Sequence, residues 1–149
     1  MNRFLQVPLL IHEARVSDQL VISVDISNVT LTDWCLNLCL LKEGLVDALV
    51  LSGNKRLELK KDESIGKADR ARVDIKSNKI QIAVHPIELD YWLSFFLKYY
   101  RDGIAEVDHL DVEAVNLSNE DEQLYVVFRV GEAVPAVSLE EARKRLNMD

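Results

Sequence analysis

Hydrophobic residues along this chain recur mostly with a period of two, and with a helical period in a few stretches. Leu20, Ile22, Val24 and Ile26 alternate with Ser23 and Asp25, which predicts a half-buried strand over 20–26. Before it, Phe4–Ile11 is a short apolar run interrupted by Pro8, the pattern of an edge strand or a strand start. Residues 45–51 and 56–60 read as two strands joined by the Gly-containing loop Ser52-Gly53-Asn54-Lys55. A second hairpin over 72–76 and 79–84 turns about Ser77-Asn78, with Val73, Ile75, Ile80, Ile82 and Val84 supplying the alternating faces. The last strand pair covers 107–117 and 124–130, around a turn at 118–122. Residues 61–69 are polar and predict a mobile loop.

Helical spacing first occurs in LTDWCLNLCLLKEG. Leu31, Trp34, Cys35, Leu38 and Leu41 share one face, Thr30 or Thr32 can cap the start, and Gly44 marks the stop. Leu36, Leu38 and Leu40 also alternate, so a strand stays open there beside the helix adopted. Near the C-terminus Ser138 and Glu141 form a capping box behind Val137, which predicts a short terminal helix.

The clearest helix is HPIELDYWLSFFLKYYRDG. It holds six of the chain's ten aromatic residues between Tyr91 and Tyr100. Pro86 suits the first turn, Glu88 and Asp90 sit at the positive end, Lys98 and Arg101 near the negative end, and Gly103 can terminate it. At about 100° per residue Leu89, Trp92, Leu93, Phe96, Leu97 and Tyr100 form one stripe, the expected core face. Tyr91, Phe95 and Tyr99 form a second stripe on its flank and widen the apolar arc to roughly 200°, where a surface helix needs about 100°. Two accounts of that stripe compete. It packs under a loop or the terminal helix, or it anchors a protein interface, where Tyr, Trp and Phe are enriched.

Runs of strands with two or three helices, without strict βαβ alternation, predict an α+β fold. The expected form is one domain over 1–149: a mainly antiparallel sheet of about six to eight strands, one long aromatic-rich helix and a short C-terminal helix. Composition agrees. The 149 residues are 48% hydrophobic and 29% charged, with five Gly and three Pro, which excludes disorder across the whole chain. The apolar stretch at the start is short, is broken by Gln6 and Pro8, and lacks a small-residue cleavage site, so a signal peptide is not expected. No apolar run approaches the roughly 18 residues of a membrane span, and a cytoplasmic protein is the expectation.

Charge changes this picture. The net charge is −7, yet residues 55–79 carry nine Lys/Arg against five Asp/Glu. From Asp102 to Glu122 there are eight carboxylates and no Lys or Arg. Such a surface repels nucleic acid and anionic lipid and can steer a basic partner, although acidic surfaces also serve plain solubility.

Candidate chemistry is sparse. His109, Asp111 and Glu113 alternate in VDHLDVEAV, so a strand places them on one face, a workable metal or acid/base set. The plainer account is a solvated polar face. Cys35 and Cys39 lie four apart without the further ligands a zinc site needs, and read as small buried hydrophobes. His12 and His85 have no visible nucleophile or carboxylate partner. Ile65-Gly66-Lys67-Ala68 lacks the first Gly and the Ser/Thr of a phosphate loop, and the basic stretch 55–79 contains no aromatic to stack a base.

These readings predict no catalytic set, no metal and no cofactor. The leading expectation is a non-enzymatic protein-binding domain, in its sharpest form an immunity-type protein that neutralises a basic toxin. Tyr91, Phe95 and Tyr99 would anchor the partner; Asp108, Asp111 and Glu113 would steer it. The alternatives are a homo-oligomeric structural or regulatory protein using the same stripe, and a metal-assisted enzyme using His109, Asp111 and Glu113.

Overall fold

The computed structural model describes residues 2–5, 9–16, 18–27, 30–53, 55–66, 69–102 and 109–131. Three strands open the chain: β1 (Asn2–Leu5), β2 (Leu9–Val16) and β3 (Gln19–Ser27). Helix α1 (Leu31–Lys42) leads into the hairpins β4 (Ala48–Ser52) with β5 (Arg56–Lys61), and β6 (Ala71–Ile75) with β7 (Lys79–Val84). Helix α2 (Pro86–Asp102) precedes the final pair, β8 (His109–Asn116) and β9 (Gln123–Gly131). The terminal helix expected from Ser138 and Glu141 lies outside the described residues.

The class is α+β, but the sheet is mixed. All nine strands of the described residues join one sheet in the order β1-β4-β5-β7-β6-β8-β9-β3-β2. The hairpins and β2–β3 pair antiparallel, whereas β1–β4, β5–β7, β6–β8 and β3–β9 pair parallel. This corrects the mainly antiparallel expectation. Alternation fixes which face a residue takes and is silent about which strand lies alongside. The ninth strand comes from the run around Pro8, which yields two strands at opposite ends of the order.

Those two ends are adjacent in sequence. Leu5 and Leu9 are four residues apart, a reach of at most about 14 Å. The sheet therefore curls until its two margins approach each other. An ion pair between Glu13 of β2 and Lys55 of the β4–β5 turn spans the same approach.

Register aligns the buried positions into one continuous face. Ile22 of β3 sits beside Val126, which sits beside Val112 of β8; Leu59 sits beside Ile82, which sits beside Val73. All six are buried. The helices cover this face: Phe128 of β9 packs at 6.1 Å from Trp34 of α1 and at 4.8 Å from Trp92 of α2, with Phe96 completing the cluster.

Helix α1 is apolar almost all round and ends as its sequence predicts. The Gly44 N–H donates to the Leu41 carbonyl (3.1 Å) and the Leu45 N–H to that of Leu40 (2.9 Å), with Gly44 at φ +76°. These paired bonds form a Schellman motif, which needs the left-handed conformation that glycine adopts at no steric cost. Thr30 precedes the helix without capping it; its hydroxyl donates to the Ser27 carbonyl instead (2.9 Å). Lys61 Nζ donates to the Lys42 carbonyl (3.3 Å) and so satisfies one of the last orphan acceptors.

The polar stretch after β5 forms a loop, as expected, and carries local ties. Ile65 is buried, Asp62 accepts from both the N–H (2.9 Å) and the hydroxyl (2.6 Å) of Ser64, and the Gly66 N–H donates to Asp69. One apolar anchor and local side-chain bonds hold a polar turn in place. Lys67 and Ala68 lie outside the described residues.

Candidate functional site

Helix α2 starts on His85, whose Nδ1 accepts the Ile87 N–H (3.1 Å) while its carbonyl accepts the Glu88 N–H (2.9 Å). His85 thus caps the helix, a local role that its position before Pro86 did not signal. Lys42 at the end of α1 pairs with Asp90 in the first turns of α2 (2.6 Å), and Trp34 near the start of α1 meets Phe96 at 5.7 Å. The two helices consequently run antiparallel.

Around α2, Leu89, Trp92, Leu93 and Phe96 are buried as expected. Leu97 is not: it is 48% exposed, so its assignment to the core face is corrected. The core direction is set by Phe128 and Trp34, which draw in Trp92 and Phe96; Leu97 lies about 100° past Phe96 and falls on the far shoulder. The side chain of Tyr100 lies outside the described residues.

The second stripe divides. Phe95 and Tyr99 are half-buried and pack against the core, with Phe95 edge-on to Phe96 at 5.1 Å. Tyr91 is 62% exposed. The exposed side of the helix is Asp90, Tyr91, Ser94, Leu97, Lys98 and Arg101.

Strand β8 presents a different surface. His109, Asp111 and Glu113 share its outer face, opposite the buried Val112, Ala114 and Asn116 that belong to the helix-covered side. Asp111 and Glu113 therefore stand across the sheet from Tyr91, and the fold does not gather them with it. They also have neighbours. His109 Nε2 lies 3.5 Å from Asp111, Arg70 Nε lies 3.4 Å from Glu113, and the Tyr125 hydroxyl donates to Glu113 (3.3 Å). Asp108 lies outside the described residues.

The charge segregation visible along the sequence is blended by folding. Parallel pairing of β6 with β8 brings Arg70 to Glu113, and β2 brings Arg15 to Glu122. Where the two hairpins meet along the parallel β5–β7 pairing, Glu58 receives Lys79 (2.5 Å) and Gln81 (3.1 Å), with Arg56 of its own strand more distant. The Lys79 contact, chiefly, holds the Glu58 carboxyl below its ordinary range. The Ser64 hydrogen bonds do the same for Asp62, aided by the charges of Lys60 and Arg72.

Potential chemistry is limited. Cys35 is buried, and that burial, with a smaller effect of Cys39, pushes its thiol up to about 11. A thiol so placed is a poor nucleophile and a poor metal ligand at neutral pH. Among the described residues no three His, Cys, Asp or Glu side chains stand close enough to share a metal ion. No helix among them is long and apolar enough to cross a membrane. Sequence reasoning missed buried Asn37, which donates to the Asp33 carbonyl (2.6 Å) while its Oδ1, like the indole nitrogens of Trp34 and Trp92, has no hydrogen-bond partner among the described residues.

Neither a protein-family model nor a curated protein sequence matches the chain. Among solved structures it is similar to Drosophila Suppressor of Fused, at 12% identity and a TM-score of 0.42. The match covers 86% of this chain and 27% of that one, so the chain spans about a quarter of that protein's length.

Proposed function

We propose that this chain is a non-enzymatic protein-binding domain whose interface is the outward side of α2, with Tyr91 as its anchor. The carrying observation is the exposure of Tyr91 beside Leu97, on a helix whose other face is locked into the aromatic core. A tyrosine on a rigid helix offers large contact area at little conformational cost, and its hydroxyl stays compatible with water when no partner is bound. Phe95 and Tyr99 act as support: their rings hold the flank from which Tyr91 projects.

The net charge of −7 favours encounter with a basic protein. Immunity-type neutralisation of a basic toxin is the form the function takes with such a partner. In that form steering comes from the whole acidic surface, because Asp111 and Glu113 face away from Tyr91 and are already engaged.

Affinity capture from native lysate with wild type, Tyr91→Ala and Leu97→Asp tests the reading. At least one protein retained by wild type is expected to be lost with both variants, while thermal unfolding stays unchanged. Equal retention of every captured protein by all three would remove α2 as the interface.

A further inference from the structure

We infer that the outward side of α2 is self-complementary, and that a second copy of this chain docks on it antiparallel, crossing at Ser94. The inference rests on the reading of that side as an interface and names one occupant for it. Along the row of residues four apart, Asp90, Ser94 and Lys98 follow one another on the exposed side of the helix. They form a short pattern of acid, small residue and base, centred on Ser94.

A twofold axis through Ser94 turns that row onto itself. It sets Asp90 of each copy against Lys98 of the other, so both ends of the contact join opposite charges. The geometry is that of rows four apart interlocking at about −50°, the commonest class of helix crossing. The closest approach then falls at Ser94, whose small side chain lets the two backbones come near.

The shoulders agree with the same axis. Tyr91 and Leu97 lie three residues either side of Ser94, about 60° to its left and right, and are 62% and 48% exposed. In the crossed pair one flank is closed by both tyrosines and the other by both leucines. Lys42 of α1 already pairs with Oδ1 of Asp90 (2.6 Å), yet the Asp90 side chain stays 49% exposed, so its second oxygen is open to the facing lysine. A contact between two helices buries less than the roughly 1,200 Å² at which stable interfaces begin, and the charge of −7 on each copy opposes their approach at long range, so the dimer is expected to be transient and concentration-dependent.

Sedimentation equilibrium from about 10 µM to about 1 mM covers the affinity expected of so small a contact. Wild type and Lys98→Arg are expected to dimerise, and Lys98→Glu and Ser94→Arg to weaken dimerisation at least tenfold with unchanged circular dichroism. In a Cys39→Ser background, Ser94→Cys is expected to cross-link under mild oxidation, because the two thiols meet at the axis. Ser77→Cys on the β6–β7 turn is expected to give no cross-link. A wild type that remains monomeric throughout, or a dimer indifferent to Lys98→Glu and Ser94→Arg, overturns the inference. If captured partners are still lost with Tyr91→Ala in that event, only the choice of occupant fails. If neither capture nor self-association responds to Tyr91→Ala, the interface reading fails as well.

Discussion

On α2 the outward Tyr91, Ser94, Leu97 and Lys98 stand exposed, whereas on β8 the outward Asp111 and Glu113 are each engaged by a neighbour. Both sets are surface residues on regular elements, and both suit a protein interface. The difference comes from architecture. A strand inside a sheet has flanking strands about 4.8 Å away, so its polar side chains find cross-strand partners such as Arg70 and Tyr125. Helix α2 lies on the sheet, and among the described residues nothing covers Tyr91 or Leu97 on its outer side. An exposed side chain is therefore stronger evidence of a docking surface on α2 than on β8.

The widest test of that comparison sets the two sides of α2 against each other. Phe96→Ala is expected to cost about 3–5 kcal/mol in urea unfolding, because its ring is fully buried among Trp34, Phe95 and Phe128. Tyr91→Ala is expected to stay within about 0.5 kcal/mol, as surface substitutions do. Similar costs for the two would mean that Tyr91 serves the fold. Phe95→Ala should fall between them, at about 1–2 kcal/mol, since its ring is half-buried and edge-on to Phe96.

A smaller effect sharpens the sheet side. Glu58 has its carboxyl depressed in the fold, so its contribution is present at neutral pH and disappears as pH falls below its ordinary value of 4.5. Glu58→Gln is expected to flatten the acid limb of the stability profile over that window; an unchanged limb would show that the Lys79 contact is not maintained in solution. The smallest effect belongs to β8. A double-mutant cycle between Arg70 and Glu113 is expected to give a coupling below about 1 kcal/mol, as for exposed pairs. If Glu113→Gln abolished partner capture while Tyr91→Ala did not, the comparison would reverse.

Much of the fold is legible in local chemistry. Pro86 marks the start of α2, Gly44 closes α1 with the geometry that its position demands, and Leu20 to Ile26 alternate into a strand buried on one face. What eludes the sequence is non-local. Nothing in Leu57 or Ile80 announces that β5 and β7 lie side by side in parallel, or that β1 and β2 end at opposite margins of one sheet. The candidate site follows the same division. A helical wheel identifies a broad apolar arc, yet only the positions of Phe128 and α1 decide that Phe95 turns in and Leu97 turns out. The charge runs mislead for a related reason, since β6 and β8, far apart in sequence, are neighbours in the sheet.

The parallel pairing of β3 with β9 joins Gln19 to Gln123, positions 104 residues apart. During synthesis at roughly 5–20 residues per second, β3 leaves the ribosome on the order of 5–20 s before its partner exists. For that interval Leu20, Ile22, Val24 and Ile26 belong to a strand whose β9-facing edge is still open. An open apolar edge is a template for pairing with another chain. The soluble yield of this protein should accordingly respond to translation rate and to chaperones that shield strand edges, independently of the final stability of the fold.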